Sequence, residues 1–285
     1  MSIDTIASTA TAADTTQTPN DPDASGNTVE LANLKNLIAL QGKDAGCTLS
    51  LRGKVVLVCF LVNDGESKWD AAAEAECVEM LKSASQNLMT ASGLNKQELQ
   101  IAYAYKQVTV PYVATRQIMD QVVADVLRQF GHKNVLDYQR HYEAKFARNE
   151  AVISFVFNKD FRSYAHLISR SESNLDGPAP NGEEFSIVSF TPGDAYTNER
   201  TLIHEMMHQF GAIDLYYPEY LKFQAEKLLP DSIMNGGTVI DPLTRYVIGW
   251  DEELAEDAKL FLKAIENVTE EDIDHARREE RRHDW

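Results

Sequence analysis

The chain has 285 residues, 44% of them hydrophobic, enough to bury a substantial core as one large domain or two small ones. A formal net charge of −17 sets up a field that repels phosphate backbones and anionic membrane surfaces, so nucleic acid is excluded as a natural partner. No run approaches the roughly 18 apolar residues that cross a bilayer, which excludes membrane insertion.

Residues 1–28 are rich in Thr, Ala, Ser, Asp and Pro, and contain neither a basic residue nor an apolar core segment. Such a composition cannot offset the entropy of ordering and predicts a disordered tail rather than a Sec signal peptide. The expectation is a cytoplasmic protein, or one exported by a route without a Sec signal. The three cysteines, Cys47, Cys59 and Cys77, lack CxxC spacing and argue for a reducing compartment rather than a disulfide framework.

No linker interrupts residues 29–285, which read as one folded unit. Val55–Val62 is the first strand, and Ser67 with Asp70 forms a capping signal for a helix. Its stripe of Ala73, Cys77, Met80, Leu81, Ala84 and Leu88 recurs at helical period and stops at Gly93. Alternation of Leu99, Ile101, Tyr103 and Tyr105 predicts a strand that Pro111 ends. A second helix carries Met119, Val122, Val123, Val126, Leu127 and Phe130 inward, with Gly131 as its stop. A polar helical connection over 135–148 leads to a strand at Ala151–Phe157. Then come a short edge strand within Arg162–Leu167, a loop at 176–182 and a strand at Phe185–Phe190. Asn198 is the expected N-cap of the next helix. Beyond it lie a Tyr/Pro-rich turn, a short helix over 219–228, the segment Asp231–Gly237, a helix over 252–267, and a charged extension at 268–285.

The helix that Asn198 is expected to cap carries His204-Glu205-Met206-Met207-His208. Residues four apart share a helix face, so the two histidines can present imidazole nitrogens to one ion. Glu205 is rotated about 100° from His204 by the 3.6 residues per turn, and faces instead the open coordination position, where it can take a proton from metal-bound water. Gly211 suits a left-handed residue that ends the helix. Asp214, three further on, can then complete a His, His, Asp set with a fourth position left for water. Two histidines, a glutamate and an aspartate within eleven residues are costly to bury without a shared partner. The rival third ligand is Glu226, eighteen residues after His208.

HEMMHQFGAID resembles the metzincin zinc-peptidase pattern HExxHxxGxxH/D, in the aspartate variant of snapalysin-like and some other bacterial peptidases. Ser232-Ile233-Met234-Asn235, with Met234 twenty residues after Asp214, resembles the metzincin Met-turn. The resemblance implies an α+β, zincin-like fold: a mixed twisted sheet with backing helices, an active-site helix, the Met-turn and a C-terminal helix. It also implies a single metallopeptidase catalytic domain over 29–285, its cleft between about 45–212 and 213–267. One Zn2+ would be held by His204, His208 and Asp214, with Gly211 and Met234 as structural support. Glu205 would be the general base of an endopeptidase whose peptide or protein substrate lies extended along an edge strand. Two features depart from the pattern. The helices between about 114 and 148 look like an insertion near the cleft's rim, and Gly236 stands where some members carry a tyrosine, leaving Tyr216, Tyr217, Tyr220 and Tyr246 as candidates for that role. Alternative readings are a catalytically silent zincin-fold binding protein, and a gluzincin-type peptidase that uses Glu226.

Overall fold

Val55–Val62 is an unbroken run of large apolar residues, and in the computed structural model it forms the centre of β1 (Gly53–Asn63). Residues 50–147, 150–166 and 184–275 are described. The tail expected at 1–28, Cys47, the loop at 176–182 and the extension beyond 275 lie outside them. Every residue of the run is buried, so both faces of β1 are covered, as parallel strands require. β2 (Leu99–Thr109) pairs parallel on one side of β1 and β3 (Glu150–Phe157) parallel on the other. β5 (Phe185–Ser189) continues in parallel beside β3, and the short β4 (Tyr164–His166) closes the row antiparallel to β5. The strand order is β2-β1-β3-β5-β4. The chain is therefore a mixed α/β protein built on a five-stranded, mostly parallel sheet.

Successive β1 side chains point to opposite faces and so belong to two cores. Val55, Leu57, Cys59 and Leu61 pack with α1 (Ala71–Ser92), α4 (Ala195–His208) and the elements that follow. Those later elements are α5 (Glu219–Leu228), α6 (Pro242–Val247) and α7 (Glu256–Glu266). Val56, Val58, Phe60 and Val62 pack with α2 (Met119–Gln129) and α3 (Val135–Phe146). Burial of each large side chain here stabilises the fold by about 1.5–3 kcal/mol. Helices α2 and α3, within the stretch expected as an insertion relative to the most compact metzincins, supply the layer on the far face of the sheet. They cover apolar side chains that a two-layer arrangement would leave in water.

The sequence signals hold where they are periodic and shift where caps compete. The predicted stripe of α1 is buried throughout, and Gly93 ends the helix with φ 69°. Its N-cap, however, is Asp70, which accepts from the Ala72 and Ala73 backbone N–H groups, rather than Ser67. Ser67 is diverted because Asp64 accepts its N–H and that of Glu66, making a turn first. α4 begins earlier than expected, capped by Asp194 through Thr197 N–H. Asn198 lies buried inside its first turn, bonded to both the N–H and C=O of Thr191. α6 is an unanticipated helix capped by Asp241 with Pro242 at its first position, a start signal that the sequence carries. After α7, Val268 and Ile273 are buried in the core, so the first part of the charged extension packs rather than standing in solvent. No helix among the described residues is long and apolar enough to cross a membrane.

Candidate metal centre

α4 is held from behind. Leu202, Met206 and Met207 bury against the sheet and α1, and Gln209 reaches Ile153 O (3.3 Å) and Ser186 Oγ (3.4 Å) in the sheet. The opposite face presents His204 and His208, whose rings stand nearly perpendicular with centroids 4.9 Å apart. His204 Nδ1 lies 3.0 Å from Ile233 O and His208 Nδ1 2.8 Å from Ala212 O. A carbonyl oxygen only accepts, so both Nδ1 atoms carry the proton and both Nε2 atoms are left as lone-pair donors toward the cleft.

The chain then turns back on itself. The helix stops at His208, and Gly211 takes φ 91°, a left-handed conformation that a Cβ would strain. Ala212 N–H bonds to Met207 O, which aims the Ala212 carbonyl at His208. Three residues after the glycine, Asp214 Oδ1 comes to 3.1 Å from His204 Nε2 and 3.2 Å from His208 Nε2. A 3-10 turn at Ile233–Asn235 secures both halves: Ile233 O accepts from His204, and Met234 O accepts from Leu215 N–H at 2.8 Å. Ser232 is itself fixed by its hydroxyl bond to Asp241 (2.6 Å), and Met234 is fully buried.

Ligands tetrahedrally placed around zinc at about 2.0–2.1 Å stand about 3.3 Å from one another. The separations of 3.1 and 3.2 Å among the three atoms match that spacing. Asp214 Oδ1 is shielded from water and has no hydrogen-bond donor in bonding geometry. An anionic oxygen against two lone pairs is a repulsive arrangement that a shared cation turns into an attractive one. The donor set, one carboxylate and two neutral imidazoles, is the chemistry zinc favours. Burial alone raises the Asp214 carboxyl; imidazoles protonated at Nε2, standing in for a cation, donate to it, outweigh burial and hold the group well below the usual carboxylate range.

Glu205 is buried, its Oε2 also without a hydrogen-bond partner. Burial pushes its carboxyl up to about 7, with His204 drawing it down and Asp214 pushing it further up. It groups with His204 and His208, their donor atoms all within 4.8 Å, and among the described residues no such cluster of three occurs away from this site. His132, His141, His166 and His275 therefore stay outside any metal-capable group. Glu226 sits on the exposed side of α5, while the third approach to the histidines is made by Asp214.

A cleft of about 330 Å3 opens over His204 and Glu205, lined also by Thr201, Tyr216, Arg162 and Arg200. Of the four candidate tyrosines only Tyr216 faces it, its ring stacked on His204 at 6.1 Å and 22°. Tyr217 points into solvent, and Tyr220 is buried against Ala264 and Gln224. None of the cleft's lining residues comes from α2 or α3. Beyond Arg200, whose guanidinium donates to Gly236 O (2.7 Å), an apolar cavity of about 800 Å3 lies among Leu88, Ala91, Ile203, Val239 and Ile240. Arg162 is the cleft residue that sequence reasoning missed. Read only as part of an edge strand, it comes near His204 through the connection between β3 and β4, which nothing in its own neighbours encodes. Compared with models of known families, the chain matches none, and no curated protein matches its sequence.

Proposed function

We propose that the protein is a zinc-dependent endopeptidase of the zincin type, its α+β fold and Met-turn those of the metzincin pattern that HEMMHQFGAID resembles. The convergence of His204 Nε2, His208 Nε2 and Asp214 Oδ1 at zinc-ligand spacing, with a buried Glu205 beside them, carries this proposal. An antiparallel edge strand, β4, on an otherwise parallel sheet supports it further, because such an edge offers backbone groups to an extended substrate.

Bound zinc would supply a Lewis acid for the scissile carbonyl and make water a better nucleophile near neutral pH. His204 and His208 would hold the ion through Nε2, their tautomers fixed by the carbonyls of Ile233 and Ala212. Asp214 would add a negative ligand from the turn that Gly211 permits. Glu205, whose buried Oε2 has no hydrogen-bond partner, would take the proton of the attacking water and pass it to the leaving amine. Phe161 and Ile233 supply apolar walls of the cleft.

The test is zinc content and cleavage of a peptide library by wild type and Glu205→Gln. Both proteins should hold about one zinc, and the variant should cleave about 10²–10⁴-fold more slowly. If both bind zinc and neither cleaves above background, the peptidase proposal fails and the catalytically silent binding protein stands in its place.

A further inference from the structure

We infer that Arg162 is the substrate-binding group of this cleft and that it selects peptides carrying a carboxylate next to the scissile bond. This rests on the peptidase reading above and names its substrate class. The whole-protein charge of −17 favours basic substrates at long range, so a cation at the mouth of the cleft is a local departure from the surface around it. Arg162 lines the cleft with His204 and Glu205, and its NH2 lies 3.4 Å from Tyr216 Oη. Its guanidinium also stands 6.0 Å from the centre of the Tyr216 ring, and that ring stacks on His204. The tyrosine therefore holds the guanidinium beside the ring that stacks on His204. Arg162 is close enough to Asp214 and Glu205 to feel both charges, yet no carboxylate among the described residues lies within salt-bridge distance of it.

Arg200, the other arginine of the cleft, is committed to Gly236 O. The charges sum simply. A divalent ion would cancel Asp214 and ionised Glu205, Asp160 offsets Arg200 among the lining residues, and Arg162 leaves the mouth of the cleft positive, so an anionic group on the substrate is drawn in where a neutral one is not. A planar, exposed guanidinium suits a carboxylate, which it can grip through two parallel N–H bonds. Either an acidic side chain or the C-terminal carboxylate of a short peptide supplies that chemistry.

Matched fluorogenic peptides decide the matter. One series differs only by Glu or Gln at each position flanking the scissile bond, the other only by a free or amidated C-terminus. A hydrogen bond to a charged group contributes about 1.5–3 kcal/mol, so kcat/KM of the wild type should favour the carboxylate member of one series by about 10- to 100-fold. Whichever series shows the preference identifies the source. Arg162→Gln should bring that ratio to about 1, and Arg162→Lys, with charge but no fork, should leave an intermediate ratio. A ratio near 1 in wild type, or one that survives in Arg162→Gln, overturns the inference. A second arm measures binding by calorimetry to zinc-loaded Glu205→Gln, using N-acetylated tripeptides as acid and amide. The acid should bind at least about 10-fold tighter, and the added Arg162→Gln should abolish the difference. A binding preference without any cleavage by wild type refutes the peptidase reading alone, whereas cleavage without preference refutes the role of Arg162 alone.

Discussion

Removal of the Asp214 carboxylate should weaken the protein's thermal response to zinc without touching the rest of the fold. At free zinc about a thousandfold above Kd, a single site stabilises the folded state by about 4.1 kcal/mol. For a domain of roughly 200 residues this is a rise in Tm of about 8–16 °C over the EDTA-treated protein. Asp214 Oδ1 is one of three converging donors, 3.1 and 3.2 Å from the other two. Its loss should weaken affinity by ~100-fold, the upper end of what losing a residue that merely supports a ligand costs. At the same zinc concentration Asp214→Ala would then sit only ~10-fold above its Kd, worth about 1.4 kcal/mol, and the rise would shrink to about 3–6 °C. Glu226→Ala, on the exposed side of α5, should keep the full rise. Differential scanning fluorimetry of the three proteins across a zinc titration reads this directly. An undiminished rise in Asp214→Ala with a lost one in Glu226→Ala would make Glu226 the third ligand, and no rise in wild type would remove zinc from the site altogether.

Three further outcomes follow from the packing around this site. Asp64 is wholly buried against Lys159 Nζ at 2.7 Å, so Asp64→Asn leaves that cation with only the longer pair to exposed Glu66 (3.7 Å) and the Ala114 carbonyl, and should cost about 1–3 kcal/mol in urea unfolding at neutral pH. Burial raises the Asp64 carboxyl, but Lys159 and the N–H groups of Ser67, Ala114 and Glu66 outweigh it and hold it low. The stability it contributes is thus present above the ordinary carboxylate pKa and lost as pH falls through the folded value. A variant whose acid limb is as steep as wild type's contradicts that assignment. Glu150 runs the opposite way: burial first, then Glu143, push its carboxyl up to about 7. Its destabilising effect grows as pH rises from the ordinary glutamate value through 7, so Glu150→Gln should raise Tm at pH 8 and leave it unchanged at pH 4. Equal shifts at both pH values would exclude titration as the cause. Met234 is fully buried within the turn at Ile233–Asn235, so Met234→Leu should cost less than about 1.5 kcal/mol and Met234→Ala about 2–5 kcal/mol by chemical denaturation. A loss under about 1 kcal/mol in the alanine variant would mean that the side chain leaves no cavity behind.

What the sequence determined by itself was whatever depends on near neighbours along the chain. The run at 55–62 had to be buried on both faces, the stripe from Ala73 to Leu88 had to face a core, and His204 and His208 had to share one helix face. Gly211 had to turn left-handed before Asp214, because covalent geometry and period alone set those relations. Caps were less legible, since Ser67 and Asp70, or Asp194 and Asn198, are chemically equal claimants. The choice between each pair falls to groups outside the helix: Asp64, three residues earlier, and distant Asn158 engage Ser67, and the backbone of Thr191 engages Asn198. Only the tertiary structure decided the remainder. The helices at 119–146 became a second layer because the back of the sheet needed cover. The carbonyls of Ile233 and Ala212 chose the histidine tautomers, and Tyr216 rather than three other tyrosines reached His204. Arg162 entered the cleft from the connection between β3 and β4, forty-two residues before His204. Such contacts join segments whose separation along the chain carries no periodic signal. They exist because burying the apolar faces of a five-stranded sheet brings the ends of β3 and β5 beside one helix.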